Sequence, residues 1–367
     1  MIATAAALAT MPPAGATATC GRWERIASPS PRGDAVLDAV DVTPSGVVFA
    51  VGTRTGTFDA LPLLLRWNGA EWERLAKPPG LADAYDGVVL SSVAARSSGD
   101  AWAVGSAYLA GPEIFQPIAF HWNGTSWAEV PLPHVSDGDA RLWDVATTPG
   151  SPVVWAVGSR VDSVEGYRAL VFRWDGAAWE TIDAGRADAP RTALMDVVAL
   201  SETDAWAAGT ESPSWPQAAV VVRWNGEQWR GQDTVSFGEV PTEAHGIDVL
   251  SQHAAWVVGD AGGEAMVQRR ARGWLVETTL DPTTGSDTLF DVYAASGNNA
   301  VWAVGQTGSP RTAYVVRRRT DASWHPSRLP ALGPSTLVAI DGHGRHDVWA
   351  VGWTLGARTR TVTLHRC

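Results

Sequence analysis

Short runs that are apolar at every position, and so on both faces of an extended strand, recur along this chain and end each time in glycine. They read Val48-Phe49-Ala50-Val51-Gly52, Ala101-Trp102-Ala103-Val104-Gly105, Val154-Trp155-Ala156-Val157-Gly158, Ala205-Trp206-Ala207-Ala208-Gly209, Ala255-Trp256-Val257-Val258-Gly259, Val301-Trp302-Ala303-Val304-Gly305 and Val348-Trp349-Ala350-Val351-Gly352. The aromatic position advances by 53, 53, 51, 50, 46 and 47 residues. A first strand and a tight polar turn precede each run, as in Leu194–Leu200 and Ser201–Asp204. A variable loop follows, then a third strand such as Ala219–Trp224, then Asn225-Gly226 and a fourth strand around Trp229. Asn-Gly predicts a type I′ hairpin, in which both central residues need positive φ. It returns at Asn68-Gly69 and Asn123-Gly124, with Asp175-Gly176 as a variant. Trp72, Trp127, Trp179 and Trp229 follow these turns, and Trp274 and Trp324 hold the same place in copies five and six. Each copy is therefore predicted to be a four-stranded antiparallel meander.

A sheet apolar on both faces is stacked between two others. Four-stranded sheets stacked radially make a propeller, whereas a linear stack needs capped ends. The chain termini decide between them. Copy seven stops after its third strand, at Thr361–Cys367, and Cys20–Ala27 matches the fourth strand Glu71–Ala76 of copy one, with Trp23 in the place of Trp72. The predicted fold is all-β: a seven-bladed β-propeller over 20–367, its last blade formed by 336–367 plus 20–27. The chain's two cysteines, Cys20 and Cys367, flank the break where a turn would otherwise stand, and a disulfide between them is expected to lock the ring. On chain entropy such a long closed loop gains at most about 5–6 kcal/mol, and it needs an oxidising compartment.

Composition narrows the partners. The formal net charge is −11, which argues against nucleic acid, whose binding needs a basic footprint, and against anionic membranes. Residues 1–18 are small and apolar and end in Ala16-Thr17-Ala18, the pattern of a signal peptide, although a basic n-region is missing. The expected location is secreted and extracellular. A cell-surface lipoprotein anchored on Cys20 is the weaker alternative, because Thr19 suits lipidation poorly. No other apolar run is long enough for a membrane span.

In an up-and-down blade the loops between second and third strands share one face with the links between blades. Nearly all length variation falls there, so that face is the expected binding surface, with function carried by loops on a rigid frame. Its candidates are Asp83, Tyr85, Asp86, Tyr108, His134, Asp137, Asp139, Tyr167, Trp215 and His245. Aromatic rings beside carboxylates suit sugars or peptides. Asp137-Gly138-Asp139 with Asp83 or Asp86 offers oxygen ligands for calcium, without any calcium-loop spacing; otherwise no cofactor is expected, and the histidines lack metal-ligand spacing. A second set is Asp144, Asp196, Asp248 and Asp291 on the first strands, each followed by Val, where copies one, two and seven have Ala39, Ser92 and Ala339. Carboxylates converging on a channel raise one another's pKa. Recurrence in several blades favours a structural role for them, in bonding a backbone N–H of their own or the next blade, over a metal or catalytic one.

The Trp-Ala-Val-Gly and Trp-Asn-Gly-x-x-Trp elements resemble those of bacterial secreted propellers, similar to kelch/galactose-oxidase-type and Asp-box (sialidase-type) propellers. Asp175-Gly176-Ala177-Ala178-Trp179 is one residue shorter than an Asp box and lacks its serine, and Gly105-Ser106 stands where kelch has Gly-Gly. The resemblance implies the propeller and no particular activity. The leading expectation is an exported, monomeric, non-catalytic module that recognises an extracellular glycan or protein through the variable-loop face. The alternative is an enzyme acting on polysaccharide through carboxylates near the central channel.

Overall fold

Each glycine that ends an apolar run is fixed by a close backbone approach. In a computed structural model of the chain, a Cβ added at Gly52, Gly105, Gly158, Gly209, Gly259, Gly305 or Gly352 would lie 1.9–2.2 Å from a carbonyl oxygen of the preceding strand. The crowding comes from a β-bulge repeated in the inner strands, where one residue drops out of register opposite the glycine. Such a bulge bends its strand and re-aims one side chain.

The structure describes residues 21–31, 33–55, 59–135, 138–162, 166–212, 216–279, 286–296 and 300–367. The expected leader 1–18, Cys20, Asp137 and Trp215 lie outside them.

Seven four-stranded antiparallel sheets follow one another along the chain. Their inner strands are Asp34–Val42, Gly87–Ser97, Ala140–Thr147, Thr192–Ser201, Thr242–Ser251, Thr288–Ala295 and Ser335–Gly342. The apolar runs form the second strands. The seventh sheet takes its outer strand, Glu24–Ile26, from the start of the chain, with Glu24 opposite His365 and Ile26 opposite Thr363. Gly21 N donates to Cys367 O at 2.9 Å, so the two ends meet. The fold is the seven-bladed β-propeller that the repeats imply, closed by strands from both termini.

The blades are joined by aromatic packing. The second-strand aromatic of each blade shares a buried cluster with the outer-strand Trp of the next: Phe49 with Trp127, Trp102 with Trp179, Trp155 with Trp229, Trp206 with Trp274, Trp256 with Trp324, Trp302 with Trp23 and Trp349 with Trp72. Ring centroids at these joints lie 5.2–5.4 Å apart where indoles meet edge to face, a favoured aromatic geometry. The seven recurring aromatics therefore account for all seven joints of the ring.

The hairpin between third and outer strands differs from the expected type I′ turn. Trp67 pairs with Trp72, which leaves a four-residue loop. Gly69 has φ 98°, but Asn68 is not among the residues with positive φ. Instead Asn68 Oδ1 accepts from the backbone N–H of Ala70 and Glu71 at 2.9 and 3.0 Å. Asp175 does the same for Ala177 and Ala178 at 2.7 and 2.8 Å. The side-chain oxygen makes the turn, which is why Asp replaces Asn there without loss. No helix among the described residues is long and apolar enough to cross a membrane.

Candidate functional site

The inner strands surround an axial channel of about 620 Å³. Two positions on each inner strand decide its chemistry: the residue just after the bulge, and the residue two further on, opposite the second-strand aromatic. Blades three, four and six carry Asp144, Asp196 and Asp291 at the first position, and blade two carries Ser92. Asp248 does not belong with them. It lies opposite Trp256, at the second position, with Asp41 and Asp341, and the residue equivalent to Asp196 in its blade is Gly246. The bulge displaces the count that places Asp248 level with the others.

All seven joints around the axis carry one polar bond from this set. Asp341 Oδ2 accepts Val42 N at 2.6 Å and Asp41 Oδ2 accepts Ala95 N at 2.9 Å. Ser92 Oγ donates to Asp144 Oδ1 at 2.5 Å, and Asp144 Oδ2 accepts Val197 N at 2.8 Å. Asp196, Asp248 and Asp291 accept from Ile247, Ala294 and Ile340 at 2.6, 2.6 and 2.8 Å. Each bond runs to the following blade. Burial pushes these carboxyls up: Asp248 to about 6, Asp41 and Asp291 to about 7, and Asp196 and Asp341 well above the ordinary range, with neighbouring aspartates adding to the shift of all but Asp248.

The residue that bulges out is free to differ between blades, because it makes no ladder bond. In order it is Asp38, Ser91, Trp143, Met195, His245, Phe290 and Val338, and all seven line the channel. They precede the aspartates along inner strands that start from the inter-blade links, so they ring the mouth on the variable-loop side. Asp38 has no hydrogen bond among the described residues, and burial raises its carboxyl to about 7. Repetition is the signal that finds the aspartates; its absence at the bulge hides Asp38, Trp143, Met195 and Phe290 from the sequence.

From this mouth a trough of about 280 Å³ opens over blades three to five, lined by Trp143, Tyr167, Met195, Gln217, Glu243 and His245 among others. The Trp143 indole N–H donates to Ser159 Oγ at 3.2 Å. Gln217 donates to Glu243, and His245 Nε2 lies 3.3 Å from Asp260 Oδ2 and 3.6 Å from Glu243 Oε2. Glu243 and Asp260 are cross-strand partners, so the sheet itself holds them together. Glu243, His245 and Asp260 are the one group among the described residues whose side-chain donors converge within 4.8 Å and could hold a cation.

Of the expected binding residues, Tyr167 and His245 enter this trough. The other described candidates, Asp83, Tyr85, Asp86, Tyr108, His134 and Asp139, belong to the loops, links and strand ends of blades one to three and do not line it. Tyr85 donates to Glu129 at 2.7 Å, Asp86 accepts Ala110 N at 2.7 Å, and Asp139 accepts Phe115 N at 2.7 Å. Tyr108 packs on Phe115 with centroids 5.1 Å apart, and Asp83 and His134 are exposed, His134 in the link between blades two and three. Asp86 and Asp139 thus cap loop amides, and neither they nor Asp83 belong to the converging donor group, so the calcium expectation gains no support from the described residues.

Seven sheets about a lined axis, closed by both chain ends, define a β-propeller with one asymmetric mouth. No family model matches the chain, and no curated protein matches it. Solved structures do. The chain is similar to the structure "YCF48 bound to D1 peptide", at 15% identity over 94% of this chain and 97% of that one, with a TM-score of 0.58. It is similar to the GH74 xyloglucanase from Xanthomonas campestris, at 15% identity and a TM-score of 0.61, covering 90% of this chain but 53% of the xyloglucanase. It is also similar to the fucose-specific lectin from Aleuria aurantia, at 13% identity over 75% of this chain and 95% of the lectin, with a TM-score of 0.50. At these identities the likeness establishes the fold. The kelch and Asp-box features are not carried by it.

Proposed function

We propose that this protein is an exported, non-catalytic binding propeller that holds a glycan in the trough over blades three to five. The observation that carries this reading is the trough itself: Trp143 and Tyr167 beside Gln217, Glu243 and His245. A sugar ring needs an aromatic surface for its C–H face and fixed polar groups for its hydroxyls, and a concave site with few, placed polar groups is how small ligands are oriented. A fucose-specific lectin and a xyloglucanase are among the solved structures of similar fold, and YCF48 is seen with a peptide; a peptide is therefore the competing ligand. A hydrolase would need two carboxyl groups at catalytic separation with their oxygens turned to the substrate. The six channel aspartates that bond to neighbouring blades are each engaged by a backbone N–H, which favours binding over catalysis.

The test is a glycan array probed with the full chain, followed by calorimetry on the best glycan and a hydrolase panel. Trp143→Ala is expected to weaken binding at least tenfold with little change in melting temperature. Retention of no glycan, or binding by Trp143→Ala as tight as by the parent, would overturn the reading. Hydrolysis lost in Glu243→Gln or Asp260→Asn would replace it with the enzymatic one.

A further inference from the structure

Seven equivalent side chains on the third strands pair across from the second-strand aromatics: Arg66, His121, Arg173, Arg223, Arg269, Arg317 and His365. Six have a carboxylate. Arg66 meets Glu73 at 2.8 Å, His121 meets Asp100 at 2.9 Å, Arg173 meets Glu180 at 3.0 Å, Arg223 meets Asp204 at 2.7 Å, Arg269 meets Glu277 at 3.5 Å and His365 meets Asp347 at 2.9 Å. These acids come from three places: one or three residues after the outer-strand Trp, or two before the second-strand aromatic. In blade six those places hold His325, Ser327 and Ala300. Arg317 therefore has no carboxylate partner by sequence. Among the described residues it makes no ion pair, and its Nε is buried without a hydrogen bond. Opposite it in the ladder stands His325, a second basic group in place of an acid.

Arg317 faces a cleft of about 550 Å³ between blade six and the seam of blade seven, which Arg22, Arg319, His325, Arg328 and Arg366 also line and no Asp or Glu does. The guanidinium carbons of Arg317 and Arg366 lie 5.1 and 5.9 Å from the centroid of the same ring, Trp302. Burial, and then the Arg317 charge, push the Arg366 guanidinium below its usual pKa. Asp321 across the turn is occupied by Ser323 and lies outside the cleft. A chain with net charge −11 thus concentrates five arginines at the one place where its repeat omits the counter-ion. Arg22, Arg319 and Arg328 are exposed, whereas Arg317 and Arg366 are partly desolvated, Arg366 with the Arg345 carbonyl as an acceptor at 3.2 Å; like charges held this way without a counter-ion are costly, and a bound anion would offset that cost.

We infer that this cleft is an oxyanion site for a ligand carrying two or more sulfate or phosphate groups. Guanidinium forks pair bidentately with such groups, and the volume exceeds what one small anion fills. The cleft lies on the outer strands at the ring's seam, apart from the glycan trough, so it does not depend on that assignment. The seam supplies Arg22 from the start of the chain and Arg366 from its end, so ring closure assembles the site.

The experiment is calorimetry of the full chain with inorganic pyrophosphate, dextran sulfate and neutral dextran at low and high salt. Binding of pyrophosphate, dextran sulfate or both, with no binding of dextran and a steep loss of affinity with salt, is the expected result; the preferred probe tells phosphate from sulfate. His325→Glu, which restores the carboxylate that Glu73 and Glu180 supply elsewhere, is expected to keep the melting temperature and lower affinity at least tenfold. The double variant Arg317→Gln with Arg366→Gln is expected to lose binding equally. Failure of the parent protein to prefer charged probes over dextran would overturn the inference. Undiminished affinity in folded His325→Glu or in the double variant would do so as well.

Discussion

Asp196 of blade four accepts the backbone N–H of Ile247 in blade five at 2.6 Å. The bond is made inside the channel and ties two sheets that share no ladder. Asp41, Asp144, Asp248, Asp291 and Asp341 repeat it at five other joints, and the Ser92 hydroxyl completes the ring through Asp144.

These carboxyls make stability depend on pH in an unusual direction. Asp41, Asp291 and Asp248 titrate near 7, 7 and 6 in the fold because of burial, against about 4 in the unfolded chain. The fold binds their protons more tightly, so their contribution is full below about pH 4 and is lost as pH rises through 6 to 7. Asp100, held low by its hydrogen bond to His121 and its contacts with Arg96, acts oppositely and loses its contribution as pH falls below about 4. The melting temperature is expected to be higher at pH 5 than at pH 8, by scanning calorimetry. Asp248→Asn, which keeps an acceptor for Ala294 N, is expected to flatten that slope. A melting temperature that rises from pH 5 to pH 8 would sink this account.

Gly209→Ala tests the bulge. The added methyl would stand 2.0 Å from the Ala193 carbonyl oxygen, and backbone cannot step aside as a flexible side chain can. Overpacking of this kind costs about 1–3 kcal/mol or more. Urea unfolding should show a lower midpoint with an unchanged slope, whereas Gly273→Ala, in open space and without positive φ, should cost less.

Trp349 closes the ring on the blade-one side, packing on Trp67 and Trp72 with centroids 5.1 and 5.4 Å apart. Truncation to Ala is expected to cost about 3–5 kcal/mol. Because the seam blade takes strands from both ends of the chain, the loss should appear in one cooperative transition, read by tryptophan fluorescence and circular dichroism together.

Cys20 and Cys367 are expected to be disulfide-linked in protein made in an oxidising compartment. Non-reducing peptide mapping should recover the two terminal peptides joined, and reductant should lower the melting temperature. Separate peptides would refute the bond. The upper limit of the effect is about 5–6 kcal/mol on chain entropy.

Much of the architecture was readable because it repeats. Trp102, Trp155 and their equivalents recur at one place per copy, since each must fill the same gap between sheets, and Trp23 showed by the same rule that the first strand completes the last blade. Asp144, Asp196, Asp248 and Asp291 are visible for the same reason, although the bulge displaces the count at Asp248; Asp41 and Asp341 are not, because the aligned position in their copies holds Ala39 and Ala339. The Asn-Gly pairs mark the turns, but dipeptide preference does not reveal whether Asn68 turns the chain with its backbone or its side chain. Trp143, Phe290 and Asp38 were invisible, since each occurs once.

The sequence by itself determined the number of blades, their strand order and the meeting of the chain's two ends, because periodic burial depends only on which residues recur and how far apart. Only the tertiary structure decided which singular residues share a space: Trp143 with Tyr167 and His245, and Arg317 with Arg366 and Arg22. Those neighbours lie in different blades or at opposite ends of the chain, and their proximity depends on bulge geometry and ring closure, which no local pattern encodes.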